Sequence, residues 1–304
     1  MAQTDSLVAT LIAKPGALDD AAVARARAEL PDAGPVQWLA PLEAADISFS
    51  AERSANQRAL HSNLANRLRA AAGAGTDAVV QPAAGRRKRL FLADMDSTMI
   101  GQECIDELAD FVGLKDHVAA ITERAMRGEI AFEPALRERV ALLKGLPVAT
   151  VDTVIDERIT LTPGGRTLVA TMRAAGARTC MVSGGFTLFT DRIATMIGFD
   201  ENHANRLDVA GGTLGGTVAE PIFGRDAKRT TLIALRGQLG LDNADTMAIG
   251  DGANDIAMIA EAGLGVAFHA KPKVAEAAAA RIDHGDLTAM LYVQGYRKDE
   301  FVGG

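Results

Sequence analysis

The chain has 304 residues, 48% of them hydrophobic and 23% charged, a balance typical of a protein with a sizeable buried core. Its formal net charge of -7 disfavours nucleic acid as a partner, because nucleic-acid-binding proteins usually carry a concentrated basic surface. No stretch approaches the roughly 20 apolar residues of a membrane span, and the first residues lack the features of a signal peptide. Two cysteines provide neither a disulfide framework nor a cysteine-rich zinc site. Composition therefore predicts a cytoplasmic protein that binds neither nucleic acid nor membranes.

Residues 1–84 show the order strand, helix, strand, strand, helix, strand, which is typical of a ferredoxin-like α+β domain. Alternating apolar residues indicate the strands, and apolar residues three or four apart indicate the helices. The predicted strands are 7–12, 36–39, 47–49 and 78–81, and the predicted helices lie around 18–30 and 60–68.

Residues 85–304 alternate short apolar runs with helical stretches, a pattern that predicts a Rossmann-like, mostly parallel sheet covered by helices. Between the first two strands, residues 101–160 are dense in helix formers and predict a small helical cap over the sheet edge. The Gly-Gly pairs within 207–223 predict a β-hairpin. The predicted sheet strands are 90–93, 179–182, 246–249 and 265–268.

Asp94 and Asp96 follow directly after the strand predicted at 90–93. In open parallel sheets, ligands bind beyond the carboxyl ends of the strands. A carboxylate there can attack phosphorus as a nucleophile, and a second one can exchange protons with the leaving group and with water. The same residue types also favour simple turns, so this motif alone leaves both interpretations open.

A second acidic cluster, with Asp251 and Asp255, follows the strand predicted at 246–249. Hard divalent cations prefer oxygen ligands, and Mg²⁺ is typically held by a few carboxylates together with phosphate oxygens and water. A helix-capping loop is the alternative interpretation of these residues. The density of acidic residues favours a magnesium site.

Two other predicted element ends supply groups that could hold an anion. Ser183 and Gly184 follow the strand at 179–182, where a hydroxyl and backbone N–H groups at a helix N-terminus suit a phosphate. Lys228 opens a predicted helix and could neutralise a bound phosphate. Each signal is weak alone. The first acidic pair, the Ser183 hydroxyl, Lys228 and the second acidic cluster fall in this order at separate strand or helix ends of one alternating pattern, and the combination favours a shared phosphate site.

The motifs D-M-D-S-T at 94–98, S-G-G at 183–185, the lysine at 228 and G-D-G-A-N-D at 250–255 resemble the four motifs of the haloacid dehalogenase superfamily. This similarity spans residues 88–293. The stretches at 94–109, 126–147, 181–187 and 249–272 resemble more closely the phosphoserine phosphatases, enzymes of the last step of serine biosynthesis. The resemblance implies a hydrolase that converts O-phospho-L-serine to L-serine and phosphate.

The resemblance also implies roles in phosphoryl transfer. Asp94 is then the nucleophile that forms an aspartyl-phosphate, and Asp96 is the general acid and base. Magnesium is implied on the carboxylates of Asp94 and Asp251 and on the main-chain carbonyl of Asp96, with Asp255 in support. The residues implied to hold the phosphoryl oxygens, or to lie near them, are Ser183, Gly184, Lys228 and Asn254.

The cap residues acquire roles through the resemblance alone. It implies that Glu103 meets the substrate ammonium, that Arg139 meets its carboxylate, and that Met126 and Phe132 close an apolar rim. The chemistry agrees, since a planar guanidinium suits a carboxylate and an acidic group suits an amine. Without the resemblance, Glu103 and Arg139 are ordinary charges on helix faces.

The N-terminal segment resembles an ACT-like module, which implies a homodimer and feedback by serine. No matching ligand motif occurs in residues 1–85, so a purely structural or dimerising role is an equal alternative. Three other interpretations of the whole chain stay open. They are a phosphatase for another small amino-acid phosphate, a phosphotransferase, and a regulatory protein without catalysis.

Overall fold

The computed structural model of the chain describes residues 4–127 and 129–303, except the side chain of Met126. The predicted role of Met126 at the rim therefore lies outside what is described. Two separate sheets organise these residues, one antiparallel and one parallel, with a small hairpin besides. Within the described ranges, the helices are too short or too polar to cross a membrane.

The N-terminal sheet is antiparallel with strand order β2-β3-β1-β4, and two helices cover one of its faces. Its core includes the fully buried side chains of Leu11, Ile47 and Leu68. Asp19 and Asn56 cap the two helices by accepting backbone N–H bonds. The structure thus confirms the ferredoxin-like fold. Its elements are β1 Thr4–Ile12, α1 Asp20–Ala28, β2 Val36–Ala40, β3 Ala44–Glu52, α2 Gln57–Ala72 and β4 Asp77–Pro82.

The opposite face of this sheet packs against the C-terminal part of the chain. The Arg86 guanidinium donates to Asp46 Oδ2 over 2.6 Å and to the carbonyls of Tyr292 and Val293. The Tyr292 hydroxyl donates to the buried Glu43 carboxylate over 2.7 Å. The N-terminal sheet is therefore sandwiched between its own helices and the rest of the molecule.

The second sheet has six parallel strands in the order β12-β11-β10-β5-β6-β7, which confirms the Rossmann-like prediction. The four predicted strands form its centre. The edge strands β7 and β12 were not predicted, and β6 continues to Phe186 through the predicted Ser183 turn. The sheet strands are β5 Leu90–Ala93, β6 Arg178–Phe186, β7 Glu201–Asn205, β10 Thr246–Gly250, β11 Leu264–Phe268 and β12 Ala280–Ile282.

Helices cover both faces of this sheet, and a helical cap follows β5, as predicted. The cap helices are α3 Cys104–Asp110, α4 Lys115–Met126, α5 Phe132–Leu142 and α6 Ala149–Glu157. The predicted hairpin consists of β8 Leu207–Ala210 and β9 Thr213–Val218. The remaining helices are α7 Gly165–Ala174, α8 Thr187–Ile197, α9 Arg225–Gln238, α10 Ile256–Glu261, α11 Pro272–Ala277 and α12 Ala289–Val293.

The register of the central strands places their carboxyl ends side by side. Ala93, the last residue of β5, lies opposite Ile249 of β10 and Met181 of β6. Because the strands are parallel, the residues that follow these three emerge at the same edge. Side chains that are far apart in the sequence therefore meet at one place.

The buried carboxylate of Asp77 joins the two sheets and gives a stability prediction. It accepts backbone N–H bonds from Asp283, His284 and Gly285 over 2.8, 3.0 and 2.8 Å. We expect Asp77→Ala to lower the free energy of unfolding by about 2–4 kcal/mol, because three buried donors lose a charged acceptor. Urea denaturation measures this.

Asp77→Asn is the conservative comparison, since it keeps one acceptor oxygen and should lose less. Asp299→Ala is the control, because the Asp299 carboxylate is exposed to solvent and pairs only with the exposed Arg297 among the described residues. It should change stability by less than about 0.5 kcal/mol. Equal stability of the Asp77→Ala protein and the wild type would contradict the assigned role.

Candidate active site

Asp94 directly follows β5 and lies at the start of a tight turn, Met95–Met99. Its Oδ1 accepts the N–H of Met95 over 2.7 Å, which fixes the side chain at the sheet edge. Within the turn, Ser97 adopts a φ of 54°, a left-handed conformation that is costly for a non-glycine residue. The turn directs both Asp94 and Asp96 towards the same cavity.

Lys228 lies between two of the predicted carboxylates. Its Nζ is 2.7 Å from Asp94 Oδ1 and 2.7 Å from Asp255 Oδ1, and all three side chains are almost fully buried. Burial lowers the pKa of Lys228, but the charges of Asp255 and Asp94 raise it by more, so the ammonium stays protonated. The helix α9 thus places one fixed positive charge beside Asp94.

Three carboxylates, of Asp94, Asp251 and Asp255, have oxygens within 4.8 Å of one another. Burial and the charge of Asp255 raise the pKa of Asp251 to about 7. With Lys228, the three groups carry a formal charge of -2 when ionised, which one divalent cation neutralises. An all-oxygen donor set of this charge fits a hard cation such as Mg²⁺. The thiol and imidazole groups that softer metals prefer are not part of this cluster.

Asp96 is held at both carboxylate oxygens. Oδ1 accepts the N–H of Cys104 over 2.8 Å, and Oδ2 accepts the hydroxyl of Ser183 over 3.0 Å. The structure corrects the predicted setting of Ser183 and Gly184, which belong to β6, because α8 begins only at Thr187. The Ser183 hydroxyl still contacts the cavity lining, because it donates to Asp96.

The cap touches the sheet edge through the ring of Phe132. A Cβ at Gly184 would lie 2.9 Å from Cζ of that ring, and one at Gly224 would lie 3.2 Å from Cδ1. Side chains at these two positions would push the ring away, so glycine permits the close contact between cap and core. Phe132 therefore roofs the cavity above Gly184.

Arg139 lies inside the cap, and its side chain is oriented by neighbours that sequence reasoning missed. Its Nη1 donates to the hydroxyl of Thr122 over 2.9 Å, and that hydroxyl donates to Asp106 over 2.7 Å. Burial lowers the pKa of Arg139, partly offset by Asp106 and Glu103. Neither Thr122 nor Asp106 stands in a pattern that distinguishes it from ordinary helix residues.

Glu103 precedes α3, and its Oε1 accepts the hydroxyl of Ser97 over 2.7 Å. Burial and the charge of Asp96 raise the pKa of Glu103 well above its usual value. The Oδ1 atom of Asn254 is buried without a hydrogen-bond partner among the described residues. Glu103 and Asn254 both line the cavity, so a polar ligand there could form hydrogen bonds with them.

These side chains surround one cavity of about 260 Å³ between the sheet edge and the cap. Of the predicted site residues, Asp94, Asp96, Glu103, Phe132, Arg139, Gly184 and Asn254 line it. Ser183 and Lys228 contact the lining residues Asp96 and Asp94, respectively. Asp255 contacts Lys228, and Asp251 belongs to the carboxylate cluster with Asp94. Arg225, which sequence reasoning missed, also lines the cavity.

A Rossmann-like sheet, a helical cap after its first strand and buried carboxylates at the strand ends define a hydrolase of the haloacid dehalogenase type. The family model of haloacid dehalogenase-like hydrolases matches residues 91–260. A crystal structure of such a hydrolase from Salmonella enterica serovar Typhi superposes with a TM-score of 0.81 at 27% identity. The match covers 97% of this chain and 99% of that chain, so the N-terminal domain is included.

A phosphoserine phosphatase from Polaromonas sp. (strain JS666) is 48% identical over 208 residues, which are 67% of this chain and 88% of that protein. A solved phosphoserine phosphatase, described as a phospho-aspartyl intermediate analogue, is 41% identical with a TM-score of 0.65. It covers 68% of this chain and 98% of its own. The chain therefore belongs to the phosphoserine phosphatase family of the haloacid dehalogenase-like hydrolases.

The close approach at Gly250 gives a prediction for the site. A Cβ there would lie 2.4 Å from Cγ of Asp255, so Gly250→Ala must displace the carboxylate that holds Lys228. We expect a fall in phosphatase activity of roughly 100-fold and a loss of stability of about 1–3 kcal/mol. Steady-state kinetics and thermal unfolding measure the two effects.

Gly237→Ala is the matched control, because a Cβ at this exposed position of α9 meets nothing within 4 Å. It should keep full activity and gain about 0.5–1 kcal/mol of stability, since alanine favours helix more than glycine does. If both variants behaved alike, the packing at Gly250 would have no bearing on the site.

Proposed function

We propose that the protein hydrolyses O-phospho-L-serine to L-serine and phosphate through an aspartyl-phosphate on Asp94. The observation that carries this proposal is the Asp94, Lys228 and Asp255 arrangement, in which a buried carboxylate at a strand end is paired with one fixed cation. Family membership supports the substrate, and the cavity is of a size for a small phosphate ester.

Asp94 is proposed as the nucleophile because only one of its oxygens is engaged. Oδ1 accepts from Met95 N and contacts Lys228 Nζ, whereas Oδ2 has no hydrogen-bond donor among the described residues. Oδ2 is therefore the atom that attacks phosphorus. Burial and the charge of Asp255 raise the pKa of Asp94, and Lys228 opposes this by stabilising the ionised form that attack requires.

Asp96 is proposed as the general acid and base. It protonates the serine oxygen as the ester bond breaks and then removes a proton from the water that opens the aspartyl-phosphate. The bonds from Cys104 N and Ser183 Oγ hold its carboxylate in a fixed position beside the cavity. Positioning of this kind matters because phosphoryl transfer depends mainly on orientation and charge.

We propose that the negative charge of the phosphoryl group is stabilised by Lys228, Ser183, Gly184 and a bound cation. We propose Mg²⁺ at the carboxylates of Asp94 and Asp251, with Asp255 in support. The family resemblance adds the main-chain carbonyl of Asp96 as a further ligand. The ion supplies Lewis-acid charge that lets two anions approach each other. Asn254 has an unpaired side-chain oxygen at the cavity, which supports its placement near the substrate.

Serine recognition is proposed to belong to the cap. Nη1 of Arg139 is oriented by Thr122, while no hydrogen bond engages Nη2 among the described residues, so Nη2 is free for a carboxylate. Glu103 lines the same cavity, and an ammonium group beside it would oppose its raised pKa and favour the negative charge that binds the amine. Phe132 closes the apolar side.

The N-terminal domain is proposed to end near residue 84 and to serve in a homodimer of a cytoplasmic enzyme. In the described sheet, β2 pairs with β3 alone, which leaves its outer edge available to a second copy. Serine binding by this domain stays a prediction.

Phosphate release from O-phospho-L-serine tests the mechanism. We expect activity with Mg²⁺, its loss on treatment with EDTA, and a loss of at least 1,000-fold in Asp94→Asn, because the nucleophile is removed. Asp96→Asn should slow turnover by roughly 100-fold to 10,000-fold and accumulate a phosphoenzyme that hydroxylamine cleaves. Mass spectrometry detects that species.

Asp116→Asn is the control, since Asp116 is exposed on the cap away from the cavity. It should match the wild type in rate and leave no phosphoenzyme. Wild-type turnover in Asp96→Asn would remove Asp96 from its assigned role. Turnover that persists in the presence of EDTA would contradict the proposed metal requirement.

The assignment of Arg139 predicts a change in selectivity. Arg139→Met should lower kcat/KM for phosphoserine by roughly 100-fold, because a charge-assisted carboxylate contact is lost. It should lower kcat/KM for p-nitrophenyl phosphate, which has no carboxylate, by less than about fivefold. Arg137→Met is the matched control, because Arg137 lies on the same helix and pairs with the exposed Glu220. Equal losses on both substrates would show that Arg139 only supports the cap.

A further inference from the structure

Arg225 lines the cavity, but the proposed mechanism assigns it no role. It is the first residue of α9, its side chain is exposed, and it lines the cavity between cap and sheet edge. Lys228, three residues further along the helix, contacts Asp94 at the floor of the site. Arg225 thus lies one helical turn from the cation beside the nucleophile, on the side open to solvent.

The guanidinium of Arg225 has no hydrogen bond or ion pair among the described residues. Other cations nearby are engaged. Lys228 is held by Asp94 and Asp255, Arg139 donates to Thr122, and Arg229 pairs with Glu261 over 2.8 Å. Arg225 is therefore an uncommitted positive charge at the mouth of the site.

In the cavity that Arg225 lines, acidic side chains outnumber the other basic one, Arg139. Asp94, Asp96 and Glu103 line the same cavity, and the whole chain has a formal net charge of -7. A doubly charged phosphate ester is repelled by such a field as it approaches. A free cation at the mouth counteracts that repulsion where it begins.

We propose that Arg225 is a further substrate-binding residue, which attracts the phosphate group of the substrate at the cavity mouth. This inference rests on the proposed phosphatase function. The phosphate end is favoured over the serine end because α9 also carries Lys228, at the Asp94 side of the cavity. A contact made on binding and retained in the transition state lowers KM and leaves kcat unchanged.

Arg225→Gln tests the proposal in the full-length enzyme with Mg²⁺. We expect KM for phosphoserine to rise roughly threefold to tenfold, with kcat within twofold of the wild type, as for loss of an exposed rim charge. The inhibition constant of inorganic phosphate should rise by the same factor. The decline of kcat/KM with added salt should become shallower.

Two further variants separate binding from structure. Arg225→Lys should restore most of the affinity, because it keeps the charge. Arg229→Gln, one turn further along α9, should leave KM and the phosphate inhibition constant unchanged, since Arg229 pairs with Glu261 outside the cavity.

Three results would overturn the proposal. The first is an unchanged KM and phosphate inhibition constant in Arg225→Gln. The second is a fall in kcat that the lysine variant does not restore. The third is an equal effect in Arg229→Gln. Calorimetric titration of inorganic phosphate into wild type and Arg225→Gln gives the same comparison without turnover, so it separates failure of this inference from failure of the phosphoserine assignment.

Discussion

The buried ammonium of Lys228 between Asp94 and Asp255 is the interaction on which the site depends. Removing an ion from water costs several kcal/mol even after the protein relaxes, so one buried carboxylate without a partner would stay protonated. Lys228 opposes the rise in the pKa of Asp94 that burial causes, and Asp255 raises the pKa of the lysine. Burial and the charge of Asp255 raise the pKa of Asp251 to about 7, so a cation beside it would favour its ionised form.

The fold holds these charged groups close together because it attaches them to three separate elements. Asp94 is fixed by β5, Lys228 by α9, and Asp251 and Asp255 by the loop after β10. Thr98 donates to Asp251 over 3.2 Å, and the N–H of Gly252 donates to Asp255 over 3.1 Å. Thr98 lies in the turn after β5, and the N–H of Gly252 belongs to the backbone after β10. Because both donors are fixed by the fold, they hold the two carboxylates in place against their mutual repulsion.

Much of this arrangement could be predicted from the sequence, because the chemistry follows directly on strong strand signals. The apolar run at 90–93 ends at Asp94, and the observed β5 has the same bounds. The edge strands were missed for a physical reason, since β7 reads ENHAN and β12 reads ARI. These strands are stabilised by pairing with a neighbour rather than by an apolar pattern of their own. Thr122 was missed because its role depends on a tertiary contact with Arg139, and Arg225 because only the fold brings the start of α9 to the cavity.

The cap packs against the core through buried apolar side chains, among them Leu108, Leu136 and Val140, and exposed ion pairs add to this packing. Arg137 pairs with Glu220 over 2.6 Å and Lys271 with Glu123 over 3.5 Å, but both pairs are exposed to solvent. Exposed pairs of this kind contribute only about 0–1 kcal/mol each. The groups proposed for phosphoryl transfer lie at strand ends and on α9, whereas Arg139 and Phe132, which are proposed to meet the rest of the ligand, lie on α5 of the cap. Because the two sets of groups stand on different elements, a side-chain change on α5 need not move the buried charges at the strand ends.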